Sequence, residues 1–142
     1  MNESISNLKV VIKGAGEMAT GIAHRLFMAN IKKIVMTEIE KPLTVRRTVA
    51  FSEAVYEGQW QVEGVNALLI DKAGSVPKTW KAGKIAVIVD PEWRIVETLR
   101  PDIVIDAIMA NRNIGTEKGE ARDVIGVGPG FPPPSAVHAV RE

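Results

Sequence analysis

Residues Gly14, Ala15, Gly16, Glu17, Met18 and Ala19 spell G-x-G-x-x-A between an apolar, β-branched run over residues 8–12 and a helically spaced stretch over residues 17–29. The pattern has a physical reason only in that context, after a strand and at the opening of a helix. Gly14 can make the tight turn out of the strand, Gly16 offers backbone without a Cβ to an approaching anion, and Ala19 lets the helix lie close to the strand. Free N–H groups at the helix start then face a phosphate. Met18, Ile22, Leu26 and Ala29 recur at spacings of three and four, which makes one apolar stripe along a helix that packs on a sheet.

Further along, Asn30 ends that helix and residues 34–37 form a second short β-rich run finishing at Glu38. Pro42 is expected to begin a helix through Ala50, and residues 51–61 show no clear period. Residues 65–70 suit a strand or a buried helical segment, while Gly74, Pro77 and Gly83 mark residues 72–83 as a surface connection. The aliphatic run 85–89 ends in Asp90, Pro91 takes the first position of a helix to Leu99, and residues 103–105 repeat the strand pattern up to Asp106. This alternation predicts an α/β fold, a Rossmann-like open and mainly parallel sheet with helices on both faces. The expectation is a single nucleotide-binding domain over residues 1–142, with a loose tail of about 12 residues at its C-terminus.

Composition removes several classes of function. Without cysteine the chain makes no disulfide, thiolate metal site, cysteine nucleophile or persulfide relay. A net charge of +1 with interspersed signs gives no field for nucleic acid. No run approaches the roughly 20 apolar residues of a membrane span, and residues 1–7 lack a signal-peptide core, so the expectation is a cytoplasmic protein without membrane contact. With 46% apolar and 25% charged residues the chain should fold alone or as a homo-oligomer. His24 and His138 have no spaced partners for a zinc site or a Ser-His-Asp arrangement, so no metal is expected.

Glu38 stands where a carboxylate can accept hydrogen bonds from ribose hydroxyls, which favours NAD over NADP. Arg46 and Arg47 reach a phosphate or form a solvated face. Asp90 caps the following helix or holds a ligand hydroxyl or metal. Asp106, followed by Met109, Asn111, Arg112 and Asn113, lines the same crevice or an exposed loop. Gly126 to Phe131 is a second ligand loop, with Gly128 as its contact, or only a rigid turn, since Pro129 donates no N–H. Ser52 reads as a local cap.

Taken together, Lys13-Gly14-Ala15-Gly16-Glu17-Met18-Ala19-Thr20-Gly21, Met36-Thr37-Glu38, Arg46-Arg47-Thr48-Val49-Ala50-Phe51-Ser52-Glu53-Ala54-Val55, Asp106-Ala107-Ile108-Met109-Ala110-Asn111-Arg112-Asn113 and the Gly126 to Phe131 loop carry a resemblance. The chain resembles the accessory proteins of the selenium-dependent molybdenum hydroxylase system, relatives of the xanthine dehydrogenase maturation factors. The resemblance implies a cytoplasmic role in maturing or inserting the molybdenum cofactor of a hydroxylase. Its ligand would be NAD(P) or a molybdenum pterin-nucleotide cofactor, its partner a molybdenum hydroxylase, and its contacts the glycine loop and the polar blocks. Two readings from other classes stand beside it. An NAD(P)-dependent oxidoreductase needs a proton donor, and Tyr56 is the sole tyrosine. A ligand-free Rossmann scaffold needs none.

Overall fold

A computed structural model describes residues 5–110, 112–131 and 138–140, the last three by their backbone. Asn111 and most of the expected loose tail lie outside the described residues. The β-branched runs form β1 (Lys9–Lys13), β2 (Lys33–Glu38), β5 (Ile85–Val89) and β6 (Ile103–Asp106), each buried almost throughout. Between them fall α1 (Glu17–Met28), α2 (Ala54–Glu57), β3 (Gln59–Val62), β4 (Val65–Ile70), α3 (Val76–Lys81) and α4 (Arg94–Leu99). β7 (Asp123–Val127) follows, and within the expected tail His138–Val140 forms β8, paired parallel to β7.

The eight strands lie in the order β3-β4-β5-β2-β1-β6-β7-β8, and every pairing is parallel except β3 with β4. Counted by themselves, the six strands from β5 to β8 have the 3-2-1-4-5-6 order of a dinucleotide-binding sheet, and the β3–β4 hairpin widens one edge. Strand alternation divides the core. Val10, Ile12, Ile34, Met36, Ile85 and Val87 face one side with α1 and α2, whereas Val11, Val35, Ala86, Ile88 and Val104 face the other with α3 and α4. Helices therefore cover both faces, as the alternation predicts. The direction of the chain reverses between β2 and β6 on either side of β1, so the switch point, where such sheets hold ligands, lies at the carboxyl end of β1.

Three local expectations fail for physical reasons. Residues 42–46 are not helical, and only the 3-10 turn Arg47–Val49 follows. Thr44, Val45, Thr48 and Val49 are β-branched and lose rotamer freedom in a helix, and Leu43 and Val45 are each 95% exposed, so no buried face repays the ordering. Residues 72–83 are more than a surface connection. They contain α3, which buries Val76 and Thr79 and whose Trp80 indole donates to the Ile34 carbonyl. The helix after Asp90 begins at Arg94 rather than Pro91, because Trp93 takes φ of +58° and interrupts the helical backbone.

At the other end of α4, Arg100 also has left-handed backbone, with φ of +52°. Glycine suits that C-terminal position. Arg100→Gly should raise the unfolding free energy by about 0.5–1 kcal/mol, measured by urea denaturation with an unchanged m-value.

Candidate functional site

β1 ends in a turn that only glycine makes easily. Gly14 has φ of +100°, and a Cβ there would come 3.1 Å from the Ala107 carbonyl oxygen at the end of β6. Gly16 differs, since its φ is −75° and a Cβ would meet nothing within 4 Å. Gly14 is thus required by the fold, while the space beside Gly16 is open. From Gly16 the chain enters α1, and the first intrahelical amide bond runs from Thr20 to Gly16. The N–H groups of Gly16, Glu17, Met18 and Ala19 have no acceptor among the described residues.

The first three of these amides border a cleft of about 610 Å³ lined by Gly14, Gly16, Glu17, Met18, Glu38, Ile39, Leu43, Val45, Asp90, Trp93, Ile108, Met109 and Ile114, among others. The segments after β2 and β6 flank the glycine loop, so the cleft spans the switch point. Glu38 holds the loop directly: one carboxylate oxygen accepts from Ala15 N–H at 2.9 Å and the other from Ile39 N–H at 2.9 Å.

The 46–55 block, which carries much of the resemblance, is the buttress of this loop. Ser52 N–H donates to the Ala15 carbonyl, Phe51 N–H to Thr20 Oγ1, and Thr20 Oγ1 in turn to the Ala15 carbonyl. The Ser52 hydroxyl bonds Thr44 Oγ1 rather than capping a helix. Arg46 Nε donates to Glu17 at the cleft mouth, and Arg47 is bound bidentately by Glu53. Tyr56 gives its hydroxyl hydrogen to the Pro42 carbonyl, so the sole tyrosine anchors the segment after β2.

Of the sequence-predicted contacts, Gly14, Gly16, Glu17, Met18 and Glu38 come together in the cleft. Ala15 and Ala19 are wholly buried and support the loop from below. Asp90 lines the cleft, but its carboxylate accepts from the N–H groups of Arg94 and Ile95 at 3.0 and 2.8 Å, which is the capping role. Asp106 does not reach the cleft: it is 3% exposed, with one oxygen taking Ile108 N–H and the other the Thr116 hydroxyl at 2.6 Å. Strand alternation turns it inward, a correction to the crevice reading. Gly128 is not among the lining residues either. With φ of +108° it packs on Met109, where a Cβ would come 2.9 Å from the sulfur. The Gly126 to Phe131 loop therefore meets the cleft only through Met109.

Sequence reasoning missed two side chains. Lys13, on the Val11 side of β1, is wholly buried; its ammonium bonds Thr116 Oγ1 at 2.8 Å and both oxygens of Glu120 at 2.8 and 2.9 Å. It also lies 3.6 Å from the centroid of the Trp93 ring. Burial pushes the Lys13 pKa below the usual lysine value, and the Glu120, Asp106 and Glu117 carboxylates pull partly the other way. A lysine directly after the apolar run Val10-Val11-Ile12 was the available signal. Trp93 gave none, because nothing local announces its left-handed backbone.

No family model matches this sequence, and no solved structure matches it. The chain is 44% identical over 133 residues to an uncharacterized protein, YqeB, of Escherichia coli (strain K12). The match covers 94% of this chain and 24% of that protein, so the chain spans about a quarter of its relative's length. Among the described residues no helix is long and apolar enough to cross a membrane.

Proposed function

We propose that this chain binds a dinucleotide or pterin-nucleotide, with a phosphate on the amides of Gly16, Glu17 and Met18 and ribose hydroxyls on Glu38. The observation that carries this reading is the set of three open amides, of Gly16, Glu17 and Met18, at the start of a twelve-residue helix and bordering a cleft at the switch point of the sheet. A carboxylate has about four acceptor sites, so Glu38 keeps two for a ribose after binding Ala15 and Ile39. Arg46 and Arg47 are engaged with Glu17 and Glu53, which supports an unmodified ribose over a 2′-phosphate. The biological setting, maturation or insertion of the molybdenum cofactor of a selenium-dependent molybdenum hydroxylase in the cytoplasm, rests on the sequence resemblance of the glycine loop and the 46–55 block. In that setting the hydroxylase is the partner, and binding and delivery suffice for the role.

Gly16→Asp tests the loop cleanly, because a Cβ there meets no protein atom within 4 Å and the variant adds a negative charge beside the amides proposed to hold the phosphate. Calorimetric titration with ADP-ribose, and with a molybdopterin-type cofactor, should show saturable binding by the unaltered protein. The variant should lose at least about 100-fold in affinity, as expected for two lost charge-assisted hydrogen bonds, with its unfolding midpoint unchanged or raised. Equal binding by both proteins would remove the phosphate from this loop.

A further inference from the structure

Three separate features hold the Trp93 indole in place. Its backbone takes the left-handed conformation that residues other than glycine avoid, with φ of +58°. Lys13, the one wholly buried cation among the described residues, sets its ammonium 3.6 Å from the ring centroid. Gly115, with φ of +140°, leaves open the place where a Cβ would come 3.2 Å from the same ring. Backbone strain of this kind persists only where the surroundings over-determine it, and it gathers at ligand sites.

The indole packs on the edge of the second core cluster, yet it is partly exposed and lines the cleft, which Lys13 does not. Its ring meets Gly115, next to Ile114 in the segment after β6, on the other side of β1 from β2 and Glu38. The glycine-loop amides are flanked by the segments after β2 and β6, so a ligand with its phosphates on those amides has room to extend in two directions. One direction ends at a carboxylate suited to ribose, the other at the Trp93 ring. An aromatic ring is the usual partner of another planar heterocycle.

We propose that Trp93 is a stacking platform for a planar heteroaromatic ring, so that the cleft takes a two-ring, dinucleotide-type ligand rather than a mononucleotide. Lys13 is the positioning residue that fixes the indole's orientation from within the protein. This rests on the phosphate-loop reading above, and the experiment separates the two. ADP-ribose carries the pyrophosphate and both riboses of a nicotinamide dinucleotide without its second base, whereas NADH adds a near-planar dihydronicotinamide and FAD an isoalloxazine on a ribityl chain. Calorimetry on the unaltered protein should find NADH or FAD bound at least about tenfold more tightly than ADP-ribose, the scale of one stacking contact. Trp93→Leu should abolish that gain and leave ADP-ribose affinity in place. Lys13→Met should reduce the gain in the same way, and energy transfer from tryptophan to bound NADH should be weaker in Trp93→Leu, with Trp60 and Trp80 supplying the remainder.

Equal affinity of the unaltered protein for ADP-ribose and both two-ring probes would overturn the platform while leaving the loop reading intact. So would a Trp93→Leu variant that loses ADP-ribose along with the rest, because that is a structural role. Full retention of the gain in Lys13→Met would remove Lys13 from its positioning role. If ADP-ribose does not bind the unaltered protein, the loop reading falls and the platform with it.

Discussion

Glu120→Ala should lower the unfolding free energy by about 3 kcal/mol, while Lys13→Met should cost less than about 1 kcal/mol, although both remove the same ion pair. The asymmetry follows from where each charge sits. Glu120 is 18% exposed at its side chain and turns to water when Lys13 is gone. Lys13 is wholly buried and has no such exit, so without Glu120 its ammonium keeps the Thr116 hydroxyl, the Trp93 ring and the charges of Asp106 and Glu117. Methionine fills the same channel and makes a favourable sulfur contact with the indole. Urea denaturation of the two variants measures the difference, and equal losses would mean that the pair is energetically symmetric.

The same lysine gives a dependence on pH. Its folded-state pKa lies below the ordinary 10.5, with burial as the main cause. Between that lowered value and 10.5 the unfolded chain holds the extra proton, so stability rises with pH through this window and the full gain is present above it. As pH falls through the folded-state value the gain is lost. The difference in stability between the unaltered protein and Lys13→Met should therefore grow in favour of the former as pH approaches 10.5. A constant difference would show that Lys13 titrates alike in both states.

Phe131→Ala should cost about 3 kcal/mol or more, the usual range for deleting a buried phenyl group. Phe131 is 4% exposed, and its ring lies over Gly126 of β7, where a Cβ would come 2.2 Å from the ring carbon Cγ. Gly126→Ala should accordingly destabilise by about 1–3 kcal/mol through overpacking. In the double variant the methyl group occupies space that the ring has vacated, so the two losses should fall short of their sum by at least about 0.5 kcal/mol. Strict additivity in the denaturation cycle would place Phe131 elsewhere. This packing ties the glycine- and proline-rich turn, read as a second ligand loop or a rigid turn, to β7. Gly130 is equally enclosed, since a Cβ there would come 2.8 Å from the Arg112 backbone.

What the sequence by itself determined is the part governed by local chemistry. Runs such as Val10-Val11-Ile12 and Ile85-Ala86-Val87-Ile88 have no polar face and must be buried on both sides, which is the condition of a parallel sheet. Gly14 and Gly16 between such a run and an amphipathic helix admit few other geometries, and Glu38 at the end of the next strand follows from the same frame. The tertiary structure decided the rest, because those choices depend on partners distant in the chain. Whether Asp106 faces a ligand or the interior turned on Thr116, which offers it a hydroxyl from ten residues away, and on the alternation that points it inward. Residues 42–50 were misread as helical because a helix needs a buried face, and only the assembled fold shows that Leu43 and Val45 have none. Lys13 lies 103 residues from Thr116 and 107 from Glu120, so its compensation could not be seen along the chain. The position of Trp93 over that lysine is likewise a balance of strain, charge and packing that exists only once β1, α4 and the segment before β7 have come together.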